Sequence, residues 1–285
     1  MRTELVSEPG DPVRPNEDFA SVAVPASGQG GALVVLDGVT PPRGETGCLH
    51  SVPWFTARLG GALTELTVSL PDVPLVDALA RAIARTAEAH AETCDLSHPR
   101  TPQATVVLAR WSAQAVEYLI LSDSALLVES PDGAITPYLD DRLARLPRAS
   151  LATDAMIDAH IRNKEGGFFT AAADPSVAGR AVTGVLDRGD VRALAALTDG
   201  ATRWVEKFRE GDWGDCFRLL RKVGARELVE RVRGLERADA EERTYLGRSK
   251  THDDATVVFA ELAFGTGGLA GTVPAAFERT VNLEE

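Results

Sequence analysis

The sequence predicts an α+β protein in which two antiparallel sheets carry helices on their outer faces. Three observations predict it. Strand-like and helical stretches follow one another as strands, helices, strands, helices, strand, which is not the βαβ alternation of a parallel doubly wound sheet. Several strand-like runs, such as GALVVL at 31–36, are apolar at consecutive positions, the mark of a strand covered on both faces. No linker-like stretch separates two self-sufficient cores, so residues 1–285 read as a single domain, with the core over about 14–262 and a peripheral tail at 265–285.

Taken in order, residues 9–16 (PGDPVRPN) form a loop, because three prolines and a glycine interrupt any period. FASVAV (19–24) is a short strand, and GALVVL (31–36) a buried one. Residues 38–53 are a Gly- and Pro-rich loop, and a helix is predicted over 54–67. A second helix is predicted over 75–93, where Leu75, Val76, Leu79 and Ile83 recur at helical spacing and Pro74 suits the first turn. ATVVLARW (104–111), AVEYLILS (115–122) and ALLVES (125–130) read as an antiparallel meander, with Asp132-Gly133 a plain turn after it. Residues 151–164 look helical, and 181–186 with 191–198 look like a strand pair. The stretch 201–240 is mostly helical and ATVVFAEL (255–262) is the last strand.

Thirty Lys and Arg against 42 Asp and Glu leave a net charge of −12, which repels a phosphate backbone, so nucleic acid is not an expected partner. No apolar run approaches the ~18 residues of a membrane helix, and no secretion signal opens the chain, so a cytoplasmic protein without membrane attachment is expected. The three cysteines, Cys48, Cys94 and Cys216, are dispersed, which suits a reducing compartment, and neither they nor the five histidines show ligand spacing for zinc. The absence of GxxxxGK[ST] argues against a P-loop enzyme, and Ser124 beside Asp123 has no histidine partner in view.

The chemistry is carried by carboxylates at the ends of apolar strands. Glu17-Asp18 precede FASVAV, Asp37 ends LVVL, Asp123 follows YLILS, Asp199 ends ALAALT and Asp253-Asp254 precede ATVVF. Strand ends are rigid mounts, and several of them converge at one edge of a sandwich. A dry cluster of carboxylates raises its own pKa values, a cost that a divalent cation removes, and an oxygen-only donor set suits Mg²⁺ or Mn²⁺. Asp-Gly is also a common turn signal. Asp37-Gly38 and Asp199-Gly200 differ from Asp132-Gly133 in that no strand returns at once after them.

Six segments in this order resemble the metal-dependent protein phosphatases (PPM, the type 2C serine/threonine phosphatases), as a divergent bacterial-type member. They are NED (16–18), LVVLDGV (33–39), QATVVLA (103–109), LILSDSALLV (119–128), LAALTDGATRWV (194–205) and THDDATVVFAEL (251–262), with Ser122 standing where glycine is usual. The resemblance implies a four-layer αββα sandwich with two, and in some members three, Mg²⁺ or Mn²⁺ ions in the cleft between the sheet edges. It implies that Asp37 bridges two metals and that the Gly38 carbonyl binds one. Asp18 or Glu17 would hold one metal, Asp199 and Asp253 complete the other, and Asp123 with Asp199 serve a third. Arg14 would be the phosphate-binding arginine, although it sits one residue closer to Glu17 than the family pattern. The implied reaction is removal of phosphate from phosphoserine or phosphothreonine of proteins, by attack of a metal-bound hydroxide. The alternatives are a catalytically weak or inactive binding module on the same fold, motivated by the divergent loop VTPPRGETG (39–47), and a phosphatase of a small phosphorylated metabolite.

Other residues carry weaker expectations. His50, after the divergent loop, is a candidate proton donor. His252 is expected at the surface, and the mixed charges of 217–250 are expected to be solvated ion pairs.

Overall fold

The computed structural model describes residues 1–26, 30–242 and 250–262. Its strands are β1 (Arg2–Glu8), β2 (Phe19–Ala23), β3 (Gly31–Leu36), β4 (Val106–Trp111), β5 (Ala115–Leu121), β6 (Ala125–Glu129), β7 (Ile135–Leu139), β8 (Val182–Asp187), β9 (Ala193–Leu197) and β10 (Ala255–Glu261). The α-helices are α1 (Val52–Ser69), α2 (Leu75–Glu88), the single turns α3 (Arg142–Arg145) and α4 (Asp154–Met156), then α5 (Asp199–Glu206), α6 (Trp213–Val223) and α7 (Ala225–Glu242). One five-stranded sheet runs β1-β10-β9-β6-β7 and the other β2-β3-β4-β5-β8, with every pairing antiparallel.

The continuous apolar runs follow from three stacked cores. Between the sheets lie Leu33, Val35, Val107, Val116, Ile120, Leu126, Leu194, Ala196 and Val258. The alternate residues of the same strands face outward. Val34, Leu36, Leu108 and Leu119 meet α1 and α2, while Leu127, Ala195, Leu197, Val257 and Phe259 meet α5, α6 and α7. A strand with both faces buried has no polar alternation to show. This is the expected αββα layering.

Three sequence expectations change. The runs at 104–130 are not one meander. β4 and β5 pair, but β6 belongs to the other sheet, because the chain turns across at Ser122-Asp123-Ser124, where Ser122 takes the left-handed φ of 72°. Likewise β8 and β9 do not pair. A tight turn over Arg188–Asp190 carries the chain between sheets, anchored by Arg188 N–H to the Gln114 carbonyl on one side and Arg192 N–H to the Glu129 carbonyl on the other. The stretch 151–164 is a series of short turns rather than a helix.

β1 and β7 escaped the sequence reading because both are half-exposed edge strands, β1 mostly polar and β7 interrupted by Pro137. The Asp132-Gly133 turn closes the β6–β7 hairpin. α1 starts two residues earlier than expected because Ser51 caps it, its Oγ accepting the Trp54 N–H at 3.3 Å, with Pro53 in the first turn. The predicted tail at 265–285 lies outside the described residues.

Candidate active site

Register brings the acidic strand ends to one edge of the sandwich. Phe19 pairs with Leu36, so Asp18 and Asp37 lie side by side. Val257 pairs with Leu197, which sets Asp253 beside Asp199. Val106 pairs with Leu121, and Thr105 N–H donates to the Asp37 carbonyl at 2.9 Å, which places Asp123 on the same edge. Asp18, Asp37, Asp123, Asp199 and Asp253 are therefore brought together from both sheets, each partly buried.

Asp18 is oriented by two buried threonines. Its Oδ2 accepts from Thr256 Oγ1 at 2.7 Å and from Thr198 Oγ1 at 3.0 Å. Thr198 is itself fixed, since its Oγ1 accepts the Thr256 N–H at 2.9 Å. The other oxygen, Oδ1, is buried and has no hydrogen-bond partner among the described residues. Asp37 and Asp199 meet end to end, with the Asp199 N–H 3.4 Å from Asp37 Oδ2.

Asp253 is held by two cations. Arg203 Nη2 donates to its Oδ2 at 3.0 Å and Lys250 Nζ to its Oδ1 at 2.9 Å. Arg203 is buried and also paired with the wholly buried Glu236. Glu236 in turn takes Arg233 and His252 at 2.7 and 2.9 Å, so His252 serves this buried hub rather than open solvent. The neighbouring Asp254 is a clip. Its two oxygens accept the Gly10 and Glu17 N–H groups, both at 2.7 Å, and tie the 9–16 loop to the last strand.

Glu17 is engaged by Thr40: its carboxylate accepts from the Thr40 hydroxyl, whose Oγ1 also lies 2.6 Å from Lys250 Nζ. Arg14 is largely exposed and leans toward Asp11 at 3.6 Å. Arg14, Glu17, Thr40, Lys250 and Asp253 line a cleft of about 400 Å³, which meets the aspartate cluster at Asp253.

The electrostatics follow from crowding. Burial pushes the Asp18 carboxyl up to about 7, with the Asp254 and Asp253 charges adding to it against the threonine hydrogen bonds. Asp37 is raised well above the usual carboxylate range by burial and then by Asp199, Asp18, Asp123 and Asp253. Asp199 is raised by burial, Asp253, Asp123 and Asp18, with Arg203 opposing. Burial, and then Asp140 and Asp253, raise Asp123. Glu17 is raised by burial, opposed by Thr40 and Lys250. Asp18, Asp37, Asp123 and Asp199, all raised by burial and by neighbouring carboxylates, with a buried Asp18 oxygen that lacks a hydrogen-bond partner among the described residues, make with Asp253 an oxygen-only donor set that a hard divalent cation satisfies. The residues present therefore fit Mg²⁺ or Mn²⁺.

Both Asp-Gly pairs need their glycine for space. A Cβ on Gly38 would come within 2.5 Å of the Glu17 carbonyl oxygen, and one on Gly200 within 2.0 Å of the Asp254 carbonyl oxygen. Each glycine lets two strand ends close on each other beneath an aspartate, which a hairpin turn does not require.

Sequence reasoning missed Thr198, Thr256, Arg203 and Lys250. For the threonines the only signal was their position one residue from, or two residues past, a motif aspartate. Lys250 lies three residues before Asp253. One negative reading is overturned. Cys48, His50, His90 and Cys94 form a cluster whose donor atoms all lie within 4.8 Å of one another, so a cysteine- and histidine-rich set does exist. His50 accordingly is engaged there, stacked on Trp54 at 3.9 Å between ring centroids, rather than acting as a proton donor at the carboxylates.

A family model described as protein phosphatase 2C matches residues 14–233. No curated protein matches the chain. Among solved structures, the serine/threonine phosphatase Stp1 of Staphylococcus aureus is 15% identical, covers 92% of this chain and 94% of its own, and superposes with a TM-score of 0.56. The Mycobacterium tuberculosis serine/threonine phosphatase PstP/Ppp is 17% identical over 92% of this chain and 98% of its own, with a TM-score of 0.56. The catalytic domain of a serine/threonine protein phosphatase PstP in complex with two manganese ions is 17% identical over 91% and 97%, with a TM-score of 0.53. At these identities the structural likeness speaks for the fold.

Proposed function

The chain belongs to the protein phosphatase 2C family, and from that premise we propose how its residues perform metal-dependent hydrolysis of phosphoserine and phosphothreonine in proteins. The observation that carries the reading is the convergence of five aspartates at one edge of the sandwich, four of them raised by burial and by one another's charges, together with a buried Asp18 Oδ1 that has no hydrogen-bond partner among the described residues. In this reading Asp37, Asp18 and the Gly38 carbonyl would help to hold one divalent ion, and Asp37, Asp199 and Asp253 a second. Asp123 with Asp199 would serve a third. Mn²⁺ or Mg²⁺ suits the donors equally. When bound, such ions supply Lewis acidity toward the phosphate ester and toward water.

The chain's own groups do the rest. Thr198 and Thr256 occupy Asp18 Oδ2 and so aim Oδ1 inward. Arg203, backed by Glu236, fixes Oδ2 of Asp253 and so sets the orientation of that carboxylate. Lys250 stands at the cleft wall between Asp253 and Thr40, where its ammonium attracts an incoming phosphate dianion. Arg14, exposed and only weakly engaged with Asp11, is free to swing onto the same phosphate from the rim. Glu17 acts through Thr40 and Lys250 rather than on an ion directly. Three cysteines dispersed along the sequence suit a reducing compartment, which supports a cytoplasmic location.

The test is hydrolysis of an aryl phosphate and of phosphoserine, phosphothreonine and phosphotyrosine peptides, with Mn²⁺ and with EDTA. Metal-dependent turnover of the first three substrates is expected. Asp37→Asn, with an unchanged circular dichroism spectrum, should lose about 10³-fold or more in kcat, a range set by a group on which both ions depend. Equal rates with EDTA, or full activity in Asp37→Asn, would refute the assignment.

A further inference from the structure

The cluster at Cys48, His50, His90 and Cys94 lies outside the carboxylate cleft, where the loop after Asp37-Gly38 meets the turns that follow α2. We propose that Cys48, His50, His90 and Cys94 form a tetrahedral structural site for one zinc ion, independent of the phosphatase centre.

The donor chemistry selects the ion. Two thiolates and two imidazoles are a set that zinc takes in closed structural sites, and one that hard Mg²⁺ and Mn²⁺ leave alone. A zinc ion about 2.3 Å from sulfur and 2.0–2.1 Å from nitrogen requires sulfur–nitrogen edges of roughly 3.6 Å. The edges here are 3.4 Å from Cys48 Sγ to His90 Nδ1, 3.4 Å from His50 Nδ1 to Cys94 Sγ and 3.7 Å from Cys48 Sγ to His50 Nδ1. The two sulfurs stand 2.9 Å apart, beyond a bonded pair, and entry of the ion spreads them toward the roughly 3.8 Å of a tetrahedral edge.

Two further observations point to an ion. Both sulfurs receive backbone N–H groups, Leu49 N–H to Cys94 Sγ and His50 N–H to Cys48 Sγ, each at 3.4 Å. Such donors stabilise thiolates and orient them, as outer-shell groups do around metal-bound ligands. His90 is 3% exposed and turns Nδ1 toward Cys48 Sγ at 3.4 Å, so that a buried ring nitrogen faces the sulfurs. Trp54 holds both rings in place, stacked on His50 at 3.9 Å and tilted over His90 at 5.2 Å.

The site has a structural consequence. Cys48 and Cys94 are 46 residues apart, with α1 and α2 between them. A bound ion closes that helical hairpin and releases the two thiol protons. It also pins the far end of the loop that begins at Gly38 and carries Thr40, the partner of Glu17 and Lys250. This replaces loop stiffness that the short, proline-rich 39–47 segment cannot draw from regular structure.

The test is metal analysis of the full chain purified without chelator. About one zinc per chain is expected, retained against excess Mn²⁺ and released by a mercurial thiol reagent. Cys94→Ser should reduce it to under about a tenth, while Asp37→Asn should keep it. Should Cys94→Ser fail to fold, the cobalt-loaded wild type decides, through the intense visible bands of a tetrahedral thiolate centre. Cys94→His, which keeps a donor, should then retain metal with weaker thiolate charge transfer. Zinc-free protein, a Cys48–Cys94 disulfide in the protein purified under reducing conditions, or zinc lost in Asp37→Asn but kept in Cys94→Ser would overturn the proposal.

Discussion

Replacing Asp18 by Asn should stabilise the chelated protein while disabling it. Asp18 is held at about 7 against an ordinary value of 3.8, chiefly by burial and then by the Asp254 and Asp253 charges. A folded-state value above the unfolded one means that folding favours the protonated form. The cost is absent below about pH 4, grows between 4 and 7 and is complete above that. Three units correspond to roughly 4 kcal/mol at about 1.4 kcal/mol per unit. Asn keeps an acceptor for Thr198 and Thr256 but places an unpaired amide where Oδ1 was, at about 1–2 kcal/mol. The net gain is therefore about 2–3 kcal/mol at pH 8 in EDTA, or roughly 5–10 °C in melting temperature for a chain of this size. Thermal and urea melts of both proteins in EDTA at pH 8 and pH 4 measure it. With Mn²⁺ the ranking should invert, because only the wild type recovers the ion's binding energy. An Asp18→Asn protein no more stable than wild type at pH 8, or equally stabilised at pH 4, would refute the electrostatic account of the cluster.

Three other substitutions probe separate links. Lys250→Met should lower kcat/KM for a phosphopeptide about 10–100-fold, mainly through KM, since Lys250 is placed to attract the phosphate and holds Asp253 only alongside Arg203; steady-state kinetics read it. Gly200→Ala should destabilise by about 3 kcal/mol or more, although alanine favours helices, because its Cβ would meet the Asp254 carbonyl oxygen at 2.0 Å; urea denaturation reads it. Ser122→Gly should stabilise by about 1 kcal/mol, since the left-handed φ of 72° costs a serine more than its 3.1 Å hydrogen bond to Asp123 returns; a lower urea midpoint than wild type would contradict this.

The two candidate metal centres differ in how openly the chain states them, and the difference is physical. The carboxylates at 37, 123, 199 and 253 each lie at the end of a strand that is buried and apolar on both faces, and Asp18 at the start of the half-buried edge strand β2, so the strand announces the mount and the aspartate its end. Antiparallel register then makes convergence nearly automatic. What the sequence hid is the sheet each strand joins. β5 to β6 and β8 to β9 read as local hairpins because a turn that stays in one sheet and a turn that crosses to the other use similar short polar segments. Only the backbone at Ser122, and the divided hydrogen bonds at 188 and 192, distinguish them.

The Cys–His cluster gives no comparable local sign. Its halves, Cys48-x-His50 and His90-x₃-Cys94, sit in irregular segments at the two open ends of a helical hairpin, so their meeting depends on how α1 packs on α2. Helix packing is set by Phe55, Leu59, Leu63, Leu79 and Ile83, residues with no chemical link to the donors. A ligand set joined only through such packing leaves spacing that looks random in one dimension. By contrast, a centre built on strand ends repeats the same apolar-run-plus-aspartate phrase at every ligand, which is why one was legible from the chain and the other from the fold.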